Sequence, residues 1–265
     1  RYRHRHRLER REGAGRALAL CLSLEPGDAV TIFFDDATEP CARALSEAAI
    51  AGRLRVLEHR VTVDDSRRFA AAGRLAGRHR ESIDQSRGVL LCLEPTRTPL
   101  EYRKALLDAA VDLQRYVGVL PGATLPVLAQ ALDIDYDTVQ TRCEDLAVAM
   151  LRGERAVLTT YRYAQGRAIE SGQLSMTLGG FGRSPITSIG IIPRGTWGNL
   201  PGGETFIAPV ERTADGTFVL NGAFKSCVLR EDRAVTLRFA AGVLTDVDGA
   251  GPERAQLETL VAWRG

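Results

Sequence analysis

Apolar positions in the first half of the chain fall into short unbroken runs, separated by longer stretches where they recur every three or four residues. The runs at residues 29–34 and 89–93 end in polar groups, Asp35 and Asp36 in one case and Glu94 in the other. Runs of that length bounded by turn residues predict strands buried on both faces. The intervening stretches predict helices over residues 14–22, about 38–51, 69–79 and 100–113, the second with Ala42, Leu45 and Ala48 or Ala49 on one side. Further strands are expected from residues 54–57 and over 116–120, and Pro26-Gly27 forms a turn. Strand and helix in alternation imply an α/β fold, a mostly parallel sheet covered by helices.

A longer helix is expected over residues 136–150, with Val139, Cys143, Leu146 and Met150 near one face and Gly153 at its end. Beyond it the pattern changes. Short apolar runs at 156–161, 173–178, 206–207, 218–220, 227–229 and 235–239 lie between glycine-rich turns. Residues 214–217 read as a hairpin turn and 245–249 as another. The expected organisation is a basic arm over 1–13, an α/β domain over 14–154 and a β-rich domain over 155–265.

Composition narrows the function classes. At 265 residues and 45% hydrophobic, the chain can bury a substantial core. A net charge of +2 is too small to imply a nucleic-acid partner, and the excess is local: Arg1, Arg3, Arg5, Arg7, Arg10 and Arg11 stand against Glu9 and Glu12. That arm could contact phosphate or an acidic partner, or be a solvated start. No run of 18 apolar residues exists, so no membrane partner is expected and a cytoplasmic location is the default. The five cysteines form no CxxC pair; Cys21 and Cys92 sit in apolar runs and read as small core residues.

Gly198-Asn199-Leu200-Pro201-Gly202-Gly203-Glu204 sets one carboxylate between a glycine-rich turn and the extended run Thr205-Phe206-Ile207-Ala208-Pro209. Such a turn can present Glu204 to a metal or substrate, or can simply connect two strands. Arg183 and Arg194 are candidates for meeting a substrate carboxylate with a planar fork, or for surface ion pairs. Trp197 beside the turn could shape a pocket or pack against the core. Asp35 and Asp36 fall at a strand's carboxyl end, where open α/β sheets place ligands, although Asp36 could equally cap the next helix. Arg97, in the polar loop after residues 89–93, has the same two readings.

Residues 198–209, with Gly216-Thr217-Phe218-Val219-Leu220 after them, resemble the GNLPxGE…AP segment of the M29 metallo-aminopeptidases, the thermophilic aminopeptidase T-like group. Leu24-Glu25-Pro26-Gly27-Asp28, Pro121-Gly122-Ala123-Thr124, Asp133-Ile134-Asp135-Tyr136 and Thr159-Thr160 agree in order, so the resemblance runs from about residue 14 to 260. It implies a metal-dependent hydrolase acting on a free amino-terminal peptide or related small amide. It also implies a homodimer and a complete site holding two divalent ions, Zn, Co or Mn, with Glu204 as one ligand. The second glutamate, tyrosine, histidines and aspartate of that site come from a later part of the family's catalytic domain. All four histidines here, His4, His6, His59 and His79, precede residue 80. Only Glu204 therefore carries over; the β-rich domain is expected to be incomplete, and these residues alone are expected neither to hold the ions nor to hydrolyse peptides. The alternatives are a catalytically silent binding or structural relative and an Fe(II)-dependent dioxygenase opening a small aromatic ring.

Overall fold

The computed structural model describes residues 12–164, 166–179, 182–224, 227–229, 233–249 and 251–262. After a helical segment over 12–21, the chain alternates as expected: β1 (Ala29–Phe34), α1 (Glu39–Ala51), β2 (Arg55–Arg60), α2 (Val63–Ala72), α3 (Gly77–Gln85), β3 (Gly88–Cys92), α4 (Leu100–Asp112) and β4 (Tyr116–Val119). The helix α5 (Tyr136–Arg152) leads into β5 (Arg155–Ala164), β6 (Arg167–Thr177), β7 (Ile186–Ser188), β8 (Trp197–Asn199) and β9 (Glu204–Phe206). The last elements are β10 (Asp215–Leu220), β11 (Ala223–Phe224), β12 (Cys227–Val228), β13 (Val235–Ala240), β14 (Val243–Asp248) and α6 (Pro252–Ala262). The basic arm lies outside the described residues as far as Arg11. No described helix is long and apolar enough to cross a membrane.

Two compact units form, one from Arg1–Cys143 with Thr187–Glu204, the other from Glu144–Ile186 with Thr205–Gly265. The first holds a five-stranded sheet in the order β2-β1-β3-β4-β8, every pairing parallel. Successive side chains of a strand face opposite ways. Val30, Ile32 and Phe34 of β1 therefore join Leu90 and Cys92 of β3 in one core, closed by Ala42, Leu45 and Ala49 of α1. Phe33 joins Val89 and Leu91 in the other core, closed by Ile83 of α3 and by Tyr102, Leu106 and Ala110 of α4. Burial on both faces is why these strands read as unbroken apolar runs.

The helix expected over 69–79 is two helices. Thr62 accepts from the Asp65 amide and the Asp65 carboxylate accepts from the Thr62 amide, a capping box that starts α2 earlier. Gly73, at φ 65°, then ends α2 in the left-handed conformation that a side chain disfavours. Behind the new helix α3 lies a buried polar network. The Tyr102 hydroxyl is 2.8 Å from His79 Nδ1, and Arg78 Nε donates to His79 Nε2 at 3.2 Å. That donor fixes the lone pair on Nε2 and the neutral ring's proton on Nδ1. The His59 ring stands 5.0 Å from His79, and its Nε2 lies 2.5 Å from Ser82 Oγ.

The second unit is an antiparallel sheet in the order β14-β13-β10-β6-β5. Its core gathers Leu229, Val235, Val247 and Leu257, the last from α6. Two expected turns are strand residues. Residues 245–249 fall largely within β14, paired with β13 through Leu237↔Val247. Gly216 lies inside β10, where a Cβ would stand 2.2 Å from the Gln173 carbonyl oxygen of β6, so the glycine serves close strand approach. The mixed fold read from the sequence, a parallel sheet with helices followed by a β-rich region, is the fold observed.

The buried network predicts a pH dependence of stability. Burial above all, with His59 and Arg78 adding and Asp65 opposing, pushes His79 down to about 4 from 6.5. A histidine held neutral in the folded state leaves the unfolded chain binding more protons between those values, so stability is full above pH 6.5 and falls as pH drops towards 4. At roughly 1.4 kcal/mol per unit the expected loss is on the order of 3 kcal/mol. Urea midpoints from pH 7.5 to 4 should show a flatter profile for His79→Leu than for the unaltered protein; parallel profiles would remove His79 from this role.

Candidate functional site

The glycine-rich motif begins as a strand. β8 pairs with β4 through Val117↔Trp197, Gly118↔Gly198 and Val119↔Asn199. Leu200 continues the pairing, its amide donating to Val119 O at 2.8 Å, and is 2% exposed in the first core. There is room for it because residue 118 has no side chain: a Cβ there would meet Leu200 Cδ1 at 2.7 Å and Leu90 Cδ2 at 2.8 Å. The peptide Leu200-Pro201 is cis. At Gly202 a Cβ would stand 2.2 Å from the Gly190 amide nitrogen, so two backbones touch where neither residue carries a side chain. The Gly203 amide donates to Ser188 O at 2.6 Å, and Cys143 Sγ contacts Glu204 O at 3.7 Å.

These contacts hold the backbone of Glu204 while its side chain stays exposed. Among the described residues no hydrogen bond or ion pair engages its carboxylate. Glu204 follows the carboxyl end of a parallel strand, the side of such a sheet on which ligands commonly bind. At the same edge Asp35 has a different fate. It is 5% exposed; Oδ1 accepts from the Ala37 amide at 3.0 Å and the Thr38 amide at 3.2 Å, and Oδ2 accepts from the Glu94 amide at 2.6 Å. Its lone pairs tie β1 to the loop after β3. Asp36 pairs with Arg60 at 2.9 Å.

The other candidates occupy separate places. Arg194 precedes β8, donating from Nε to Gln114 O at 3.0 Å, so Arg194 and Glu204 flank opposite ends of that strand. Trp197 is 52% exposed on the edge strand. Arg183, in the second unit, donates to Pro209 O at 2.9 Å and pairs with Glu211. Its fork braces the loop that follows β9. Arg97 is exposed. Cys21, Cys41, Cys92 and Cys143 are buried and form no disulfide, and burial pushes the Cys41 thiol up to about 11.

A pair of divalent ions needs several converging donors. Among the described residues no group of three or more His, Cys, Asp or Glu side chains is placed to hold an ion. His59 and His79 are spent in the network behind α3. The described residues therefore do not fit a two-ion site, and Glu204 stands as a lone carboxylate. The buried network itself was missed in the sequence; the only local signal was Thr62-Val63-Asp64-Asp65, a capping-box spacing, followed by Gly73.

No known protein family matches the chain, and no curated protein matches it in sequence. In fold, the chain does resemble a solved structure. The fold is similar to that of wild-type AmpT from Thermus thermophilus, with a TM-score of 0.57 at 14% identity over 95% of this chain and 74% of that one. At that identity the likeness is one of fold.

The clamp around Glu204 predicts that Gly202→Ala lowers stability by about 1–3 kcal/mol, since the added methyl meets rigid backbone. Asn199→Ala, at an exposed strand position, should stay within about 0.5 kcal/mol. Urea unfolding followed by circular dichroism checks both; equal midpoints for the two variants would show that the loop is not held at Gly202.

Proposed function

We propose that the protein is a peptidase-like hydrolase of the aminopeptidase type, acting on a peptide with a free amino terminus or on a related small amide, with Glu204 as a metal-ligating carboxylate. The observation that carries this reading is the contrast within Glu204 itself. Its main chain is fixed by a buried leucine, a glycine-to-glycine contact and two flanking contacts, yet its carboxylate is spent on nothing among the described residues. A group held by its backbone and unused through its side chain is suited to a ligand. The motif resemblance and the fold likeness to AmpT, a thermophilic M29 aminopeptidase, support the same reading.

Amide bonds are poor electrophiles and water is a weak nucleophile, which is why such chemistry calls for metal assistance. Glu204 would supply one anionic oxygen ligand to that end. The lack of converging donors among the described residues favours a second reading, a catalytically silent binding or structural relative on the same fold. Homodimerisation and a cytoplasmic location accompany the first reading.

The deciding assay uses the protein expressed from its native gene, supplied with Zn²⁺, Co²⁺ or Mn²⁺ and free-amine peptides. Release of amino-terminal residues from these, but not from their acetylated counterparts, is the expected result. Glu204→Gln keeps the shape and removes the negative ligand, so bound metal should fall and turnover should drop by about 100-fold or more. Glu211→Gln is the control, since it loses only a solvent-exposed pair with Arg183, which water screens. A folded, metal-supplied protein with no turnover would favour the silent reading, and equal metal content in Glu204→Gln would end the ligand assignment.

A further inference from the structure

An open cleft of about 420 Å³ lies beside the connection between α2 and α3, within the size range of small-molecule sites. Arg68, Arg74 and Arg78 line it together with Asp65, Phe69 and Leu75. Three cations thus face one acid. That acid is already committed: Asp65 pairs with Arg78, and its Oδ2 accepts from the Thr62 amide at 3.0 Å and the Thr62 hydroxyl at 2.8 Å. Burial would raise the Asp65 carboxyl, but the Thr62 hydrogen bonds and Arg78 outweigh it and hold it below the usual range. Asp65 is ionised and cancels Arg78. Arg68 and Arg74 remain, both exposed, with no hydrogen bond or ion pair among the described residues.

Two uncompensated guanidinium groups in a concavity with apolar walls focus positive potential inside it. The planar fork of each matches the oxygens of a phosphate. The α3 helix adds to the field at its start, because its first turn contains no acid and Ala76 offers no side-chain cap. Phe69 and Leu75 are partly buried members of the second core, and their remaining surface gives a ligand an apolar contact. Phe69 is braced edge-on by Tyr102, with centroids 5.4 Å apart, so that wall is fixed.

We propose that this cleft binds a small organic phosphate monoester, its dianion held by Arg68 and Arg74 and its apolar body set against Phe69 and Leu75. The site is independent of Glu204 and of any hydrolytic activity. Both arginines are exposed and unpaired, so their replacement leaves the core and the Asp65–Arg78 pair intact.

Calorimetric titration of the full chain at pH 7.5 and low salt, with phenyl phosphate, inorganic phosphate and phenol as probes, tests the assignment. Phenyl phosphate should bind once per chain, about tenfold or more tighter than inorganic phosphate, with no binding of phenol. Arg68→Gln and Arg74→Gln should each weaken phenyl phosphate by about tenfold, and the double variant should abolish saturable binding while its circular dichroism spectrum is unchanged. Arg43→Gln, which removes an exposed arginine paired with Glu39 elsewhere, should bind as the parent does. Absence of saturable binding, or retained binding in the double variant, overturns the site. Equal affinity for inorganic phosphate overturns the organic-ester assignment.

Discussion

The position of Glu204 depends on a lack of side chains where a late strand meets an early one. β8 reaches the sheet only because Gly118 leaves a space that Leu200 and Leu90 fill, and the loop beyond it closes only because Gly190 and Gly202 bring two backbones together. Burying Leu200 favours the docking, on the order of 2 kcal/mol for a leucine removed from water. The glycines cost conformational freedom in the unfolded chain, about 0.5–1 kcal/mol each relative to alanine. Close approach without overlap is what they return. Glu204 is therefore placed by packing and backbone contacts, and no interaction of its own side chain is needed to hold it.

Acids at one edge of the same sheet have opposite fates, and partner count separates them. Asp35 meets three backbone amides and becomes a rivet between β1 and the loop after β3. Asp36, one residue on, pairs at the surface with Arg60. Glu204 meets none of these among the described residues. A carboxylate with filled lone pairs has nothing left for a ligand, so identical chemistry yields a structural residue in one place and a candidate functional one in another.

Arg78 links two further features of the first unit. Its Nε sets the tautomer of buried His79, and its outer nitrogen neutralises Asp65. Neutralising Asp65 leaves Arg68 and Arg74 as net charge in the cleft, while holding His79 neutral lets Tyr102 and Phe33 pack around it. One arginine thereby separates a buried network that needs neutrality from a cleft that carries positive charge.

Residue pattern alone determined the alternation through β4, because strands buried on both faces must be apolar throughout and the helices between them must be apolar on one side. It also marked Glu204, since the glycines and prolines around it restrict the backbone locally. One further feature was local, and tertiary structure decided the rest. The capping box at Thr62 and the left-handed Gly73 split an expected helix, a local signal overlooked beside the apolar spacing. Gly216 and residues 245–249 looked like turns because glycine and aspartate favour turns, yet pairing with β6 and β13 makes them strand. Nothing near Trp197 announces that it joins a parallel sheet, and nothing near Arg68 or Arg74 shows that they line one cavity. Local composition encodes burial and turn chemistry; which distant segments pair, and which charges are left uncompensated, follows only when the whole chain is packed.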